Sequence, residues 1–310
     1  MLRYILKRIV FLIPVLIGVS ILIFTIIHLA PGDPAESMLG PSATQQDLHE
    51  LREQLGLNKS LVEQYFTFIG NILKGDFGRS IRTNNPVLEE ILDRFKPSFV
   101  LALWSMAFAV LLGLPLGMLA ALRQNTWIDT LCNFVALLGF SLPGFWMGLM
   151  LMLLFSIMIP ILPSSGYGSW EQLIMPVLVL GTNPMAVIAR MTRSSMLEVI
   201  RQDYVRTARA KGLKNRLILV RHILSNVLIP VVTVIGIYFG NMLGGVVITE
   251  TIFSIPGVGR LIIDAIRFHD YPVVQGGVLF FAFCLSLVNL GIDLLYALLD
   301  PRIKAQYRAG

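Results

Sequence analysis

"IVFLIPVLIGVSILIFTIIHLA", residues 9–30, is a run of 22 residues whose one titratable side chain is His28. A bilayer hydrocarbon core about 30 Å thick is crossed by roughly 20 apolar helical residues, so this run is long enough to span. Arg3, Lys7 and Arg8 precede it, as in the charged start of a signal peptide. The run outlasts the apolar region of such a peptide, and no small-x-small cleavage pattern precedes Pro31. A retained first span is expected.

Further apolar runs lie near 98–122, 131–159, 173–192, 226–249 and 275–298. The fourth is the weakest, since Asn183 and Pro184 interrupt it and Arg190 ends it. A membrane barrel would show strands of about 10 residues with alternating polarity, whereas these runs are twice as long and apolar nearly all round. Helices follow, because backbone amides within lipid need partners inside their own segment. The expected fold is an all-α polytopic membrane protein with six transmembrane helices.

Composition agrees. The 310 residues are 55% hydrophobic and 14% charged, against about 25% charged in a soluble domain, and mean hydropathy is +0.73. A net charge of +6 could serve nucleic acid. The basic residues, however, sit between or beside apolar runs and are not interleaved with exposed aromatics, so no nucleic-acid partner is expected. Cys132 and Cys284 fall inside apolar runs and read as core thiols.

Six spans put both termini on one side. With the N-terminus inside, the inner segments carry 16 Lys and Arg and the outer segments 9, while 14 of the 19 acidic residues lie outside. Positive charge favours the cytoplasmic side, so both termini are expected there. The chain then divides into a first transmembrane helix at 1–30, an extracytoplasmic helical cap at 31–97, a five-helix core at 98–300 with a basic cytoplasmic loop at about 193–225, and a tail at 301–310. In the cap, Leu48, Leu51 and Leu55 recur at helical offsets, and Gly56 and Gly75 end short amphipathic helices.

No catalytic constellation is visible. His28, His49, His222 and His269 are dispersed, and the H-E-x-x-H, CxxC and Walker A patterns are absent. "SIPGVGR", residues 254–260, is glycine-rich but lacks the GK[ST] ending. It reads as a tight outer turn in which Pro256 fixes one dihedral and Gly257 and Gly259 supply conformations other residues resist. Ile255, Pro256, Gly257 and Gly259 are the gating candidates of that turn. Asn183, Asn241, Asn289 and Asp293 are polar groups inside spans, where they either glue helices together or line a path. Gly236, Gly240 and Gly244 recur every four residues and permit close contact with an unidentified helix.

"RQDYVRTARAKGLKNRLILVRH", residues 201–222, holds seven of the 25 Lys and Arg. Leu197, Ile200, Tyr204 and Ala208 advance by three, four and four, which places them on one side of a helix that Gly212 would end. Such an element either lies on anionic membrane lipid or docks into a cytoplasmic protein.

The stretch resembles the cytoplasmic coupling loop of binding-protein-dependent ABC transporter permeases. The general signature, E-A-A followed by a glycine and I-x-L-P, is met here at Ala208, Gly212 and Leu224. The peptide and nickel branch is closer, with "DYVRTARAKG" at Asp203 to Gly212, then Arg221, His222, Leu224, Asn226 and Pro230. "LAPGDP" at 29–34, "QLGL" at 54–57, "GDFG" at 75–78, "IFSIPGVGR" at 252–260, "DYPVVQ" at 270–275 and "DPRI" at 300–303 follow the same branch in order.

The resemblance implies a type I importer permease of the bacterial inner membrane, half of a translocation pathway for dipeptides or oligopeptides. Nickel, metal chelates or glutathione are the alternatives, and a standalone secondary transporter is a further one. It implies that Tyr204, Arg206, Thr207, Ala208, Arg209, Lys211 and Gly212 couple to an ATPase. The implied partners are a second permease, two ATP-binding subunits or a heterodimer of them, and an extracytoplasmic solute-binding protein. ATP and Mg would be bound by the ATPases and no cofactor or metal by this chain, which would not itself be an enzyme.

Overall fold

The longest helices carry the longest apolar runs. In a computed structural model the described residues are 2–29, 35, 39, 44–54 and 56–299. The tail at 301–310, the "DPRI" stretch and most of "LAPGDP" lie outside them. Helix α1 (Leu2–Leu29) is the first span. Helices α2 (Gln45–Gln54) and α3 (Leu61–Leu73) follow, then α4 (Val87–Leu122). A bent pair comes next, α5 (Trp127–Ser141) and α6 (Gly144–Met152), the latter extended by a π-helical stretch, Leu153–Met158. Helix α7 (Glu171–Ile200) leads to the short α8 (Asp203–Ala210). A turn, α9 (Asn215–Leu217), passes through π-helical Ile218–Leu224 into α10 (Ser225–Gly245). Helices α11 (Val247–Ile252), α12 (Val258–Arg267) and α13 (Tyr271–Leu299) complete the fold.

Among the described residues, five helical segments are long and apolar enough to cross a membrane, within α1, α4, α7, the run from Asn215 to Leu243, and α13. The third predicted span, 131–159, is not one straight helix. It is the α5/α6 pair, bent by 97° at Leu142 and Pro143. Pro143 has no amide to donate, and its ring drives Leu142 out of the helical region to φ −79°, ψ 124°. The fourth predicted span differs the other way. Helix α7 runs through Pro176 and Pro184 and past Arg190 to Ile200, with the Arg190 guanidinium 4.9 Å over the Phe140 ring. Helix α4 begins at Val87 and contains Pro97, so the helix of the second span starts within the stretch assigned to the cap.

The core is the seam between α4 and α7, with α10 and α5 packed on α7, α13 on α10, and α1 on α13. Leu101, Met175, Ile188, Met196, Val227 and Phe253 are buried there. A Cβ at Gly117 would stand 2.4 Å from the Ala189 carbonyl oxygen, so the two backbones touch where that side chain is missing. The partner of the Gly236/Gly240 stripe is α13: a Cβ at Gly236 would lie 2.3 Å from Ile292 Cγ1, and one at Gly240 2.8 Å from Leu285 Cδ1. In lipid, with little hydrophobic drive between helices, such close packing supplies much of the association.

The short helices end as expected. At α2, Gly56 (φ 69°) donates to Glu53 O and Leu57 to Arg52 O; at α3, Gly75 (φ 81°) donates to Ile72 O and Asp76 to Asn71 O. Both are Schellman closures, for which glycine carries no Cβ penalty.

Candidate functional site: the basic loop and the opposite mouth

Helix α8 is built by its ends. Thr207 Oγ1 donates to Asp203 O at 2.9 Å. Beyond Lys211, Gly212 turns left-handed (φ 75°), its amide donating to Arg209 O at 2.9 Å and that of Leu213 to Ala208 O at 3.4 Å. This Schellman closure stops the helix after eight residues. Val205 and Ala208 are buried and join the hydrophobic core, while Tyr204, Arg206, Thr207, Arg209 and Lys211 are exposed. The expected single face is therefore corrected. Leu197 and Ile200 belong to α7, a break at Arg201 and Gln202 separates them from α8, and Val205 joins Ala208 underneath while Tyr204 points outward. Arg206 pairs weakly with Asp203 at 3.7 Å, both side chains largely in solvent. The basic surface is thus a rigid two-turn helix seated on the core.

A partly buried ion pair that sequence reasoning missed fixes the approach to this helix. Arg193 Nε and Nη2 donate to Asp129 Oδ1 and Oδ2 at 2.7 and 2.8 Å. Asn133 Nδ2 and the Asn125 amide also donate to the same carboxylate, at 2.7 and 3.1 Å. Every donor lies on the α4–α5 connection, α5 or α7, so the pair clamps the bent span to the helix that feeds α8. The available signal was an aspartate in the first turn of an apolar run and an arginine near the end of another.

At the opposite end, "SIPGVGR" encloses a carboxylate. Glu250 is fully buried. It accepts from Ser98 Oγ at 2.5 Å and from the Arg260 amide at 2.9 Å, and Ser98 Oγ in turn accepts from the Val258 amide at 3.0 Å. Glu250 and Ser98 together cap the N-terminus of α12, satisfying amides that have no partner within the helix. Burial pushes the Glu250 carboxyl pKa up, against the lowering effect of the Ser98 hydroxyl and the Arg260 and Gly259 amides.

This corrects the reason for the glycines. Gly257 is extended, at φ −98° and ψ 174°, which any residue adopts, but a Cβ there would stand 2.0 Å from Glu250 Oε1. Gly259 is helical, and its Cβ would lie 2.7 Å from Val247 Cγ2. Space, not backbone freedom, requires both. The left-handed position of the turn is Ser254 (φ 53°). Ile255 is buried and Pro256 half-buried.

A second carboxylate ties the mouth together. Buried Asp270 accepts from Ser80 Oγ at 2.5 Å and from the amides of Ile81 and Arg82 at 3.1 and 3.3 Å, and Arg82 lies 4.1 Å over the Phe268 ring. Between this clasp, α1, α2 and α3 opens a cavity of about 1090 Å³, lined among others by His28, Lys59, Gln64, Asp76, Arg79 and Tyr271. Of the polar residues within spans, Asn241 and Asn289 are exposed and Asn183 and Asp293 half-buried. The structure does not bring these four together with the glycine turn. Among the described residues no group of three or more His, Cys, Asp or Glu is arranged to hold a metal ion.

Two family descriptions match the chain: the binding-protein-dependent transport system inner membrane component over residues 113–305, and the N-terminal membrane component of such systems over 1–102. The dipeptide transport system permease protein DppB of Alkalihalophilus pseudofirmus is 45% identical over 98% of this chain and 100% of its own length. The glutathione transport system permease protein GsiC is 45% identical in Salmonella typhimurium and 43% in Escherichia coli K12, each over 98% of this chain and 99% of its own. The inward-facing MetNI methionine ABC transporter superposes with a TM-score of 0.58 at 16% identity, over 69% of this chain and 97% of that one, which gives the type I importer permease fold. The chain belongs to the binding-protein-dependent transport system inner membrane components, as a multi-pass, non-catalytic permease subunit of an ABC importer that works with a second permease, ATP-binding subunits and a solute-binding protein.

Proposed function

We propose that this chain passes short peptides of two or three residues, the tripeptide glutathione foremost, as one half of a two-permease path. The observation that carries the mechanism is α8, a two-turn helix stopped by Gly212 and seated on buried Val205 and Ala208. A rigid element of this kind transmits a push from a closing ATPase pair into α7 and α10, and so exchanges inward and outward openings. Tyr204, Arg206, Thr207, Arg209 and Lys211 offer the contact surface, with Ala208 and Gly212 shaping it from beneath and behind. The excess of 16 Lys and Arg over 9 supports a cytoplasmic α8 and cytoplasmic termini. The substrate reading is supported by relatives, similar along their whole length, that are named for dipeptides and for glutathione.

The test is the complete importer in proteoliposomes with ATP on the ATPase side. ATP-dependent uptake of labelled glutathione, competed by dipeptides, is expected; uptake of nickel ions with neither peptide taken up would overturn the substrate reading. Orientation has its own check. A cysteine replacing Lys211 should react with a membrane-impermeant maleimide only after permeabilisation, and labelling in intact cells would reverse the topology.

A further inference from the structure

Helix α3 was expected to ride over the membrane mouth, yet its anchors are on the wall of a span. Tyr65 Oη and Ser20 Oγ lie 2.8 Å apart, and the Phe24 ring meets the rings of Tyr65 and Phe68 at 5.4 and 6.0 Å. Gln64 Oε1 lies 3.1 Å from His28 Nε2. Ser20, Phe24 and His28 are spaced by four along α1, so α3 crosses one stripe of that helix.

The level of the stripe follows from helix geometry. Counting from Ile9, the first residue past the basic start, and rising 1.5 Å per residue, Ser20 stands about 16 Å up, Phe24 about 22 Å and His28 about 28 Å, in a hydrocarbon core about 30 Å thick. The contacts of α3 fall between the midplane and the far boundary.

Three sectors of α3 then have three environments. Tyr65, Phe68 and Ile72 face α1 and its cluster, where Phe68 and Ile72 pack with Val19, Ile23 and Ile27. Glu63, Thr67 and Asn71 form a polar stripe, and Thr67 and Asn71 line the cavity beside Gln64. Val62, Phe66 and Leu73, at offsets four and seven, form an apolar stripe that is 64%, 69% and 82% exposed. At the same levels α1 exposes Ile21, Leu22 and Ile26, so the stripe continues a surface that already faces acyl chains.

We propose that α3 is an interfacial helix sunk into the leaflet opposite the coupling loop, with Val62, Phe66 and Leu73 in contact with lipid acyl chains. One apolar side beside a polar one is the pattern of a helix that lies in the boundary plane. Its ends are closed for that setting, by a Ser60/Glu63 capping box at the start and the Gly75 turn at the finish. The helix is thereby a membrane-anchored wall of the cavity at the mouth, which fixes that cavity's height relative to the bilayer.

The test uses the assembled importer in lipid nanodiscs, with Cys132 and Cys284 replaced by alanine and a nitroxide attached at Phe66→Cys or, as the polar control, Thr67→Cys. Both positions are exposed, so neither label disturbs packing. Power saturation should show position 66 relaxed more by oxygen than by a water-soluble nickel chelate, with position 67 reversed. Equal access of the chelate to both positions would place α3 in water and overturn the proposal. A label at 66 shielded from both relaxants would also overturn it, by showing a protein partner on the stripe.

Discussion

Replacing Gly257 with alanine sets a methyl carbon 2.0 Å from Glu250 Oε1, 2.1 Å from its Cδ and 2.4 Å from its Oε2. The carboxylate cannot swing aside, because Glu250 is fully buried and tied to Ser98 and the Arg260 amide. Either Glu250 leaves its site or α12 tilts away from α11. Losing hydrogen bonds to a charged group costs roughly 1.5–3 kcal/mol each, and overpacking typically costs 1–3 kcal/mol. With partial relaxation, the substitution should destabilise the permease by about 2–4 kcal/mol. The assay is thermal unfolding of the purified importer, run as a double-mutant cycle with Glu250→Ala. If the clash is with the carboxylate, Gly257→Ala should cost little once Glu250 is alanine, leaving a coupling of about 2 kcal/mol. Equal cost in both backgrounds would refute the reasoning and return Gly257 to a role in backbone conformation.

A Cβ at Gly212 would meet no neighbour within 4 Å, so the main cost of Gly212→Val is the left-handed backbone, about 1–2 kcal/mol, felt at the exit of α8. Membrane insertion should be normal while ATP-driven uptake or ATPase assembly falls, and unchanged uptake would count against the coupling role. Arg193→Ala removes two charge-assisted hydrogen bonds from a carboxylate that keeps its Asn133 and Asn125 donors, a loss of roughly 1.5–3 kcal/mol; Arg193→Lys should restore part of the stability but not the bidentate clamp. Thermal unfolding and ATP consumed per molecule transported would separate folding from coupling. Glu250→Gln tests pH dependence. Burial raises the folded pKa above the unfolded one, so the folded chain keeps this proton to higher pH, and stability falls as pH rises from the ordinary carboxylate range through the folded value. The glutamine variant should flatten that slope in melting curves recorded across pH.

The spans were legible because lipid imposes length and apolarity on each segment separately, a property of local sequence. Helix α8 was legible for a related reason: its stop is written in one glycine whose left-handed conformation a helix end demands. What lay beyond reach depended on partners distant in the chain. Nothing local tells that Ser98 will meet Glu250 or that Asp129 will meet Arg193. Gly257 was recognised as necessary but for the wrong cause, since a short sequence does not separate a glycine required by its dihedral from one required by a neighbour. The 97° bend was signalled by Pro143 and overlooked because apolar composition continues across it. The face of α8 was misread because the spacing of Leu197, Ile200, Tyr204 and Ala208 runs without a break through a chain that bends at Gln202.

The clasp between Ser80 and Asp270 joins residues 190 positions apart, and α1 packs on α13, the last helix among the described residues. During synthesis, then, the first span enters the bilayer long before its neighbour exists. Until Asp270 emerges, the backbone amides of Ile81 and Arg82 lack their acceptor and the strap at 79–86 has nothing to close upon. Assembly of the mouth consequently waits on Asp270, and a ribosome stalled before that residue would leave the rim at Ile81 and Arg82 unfastened.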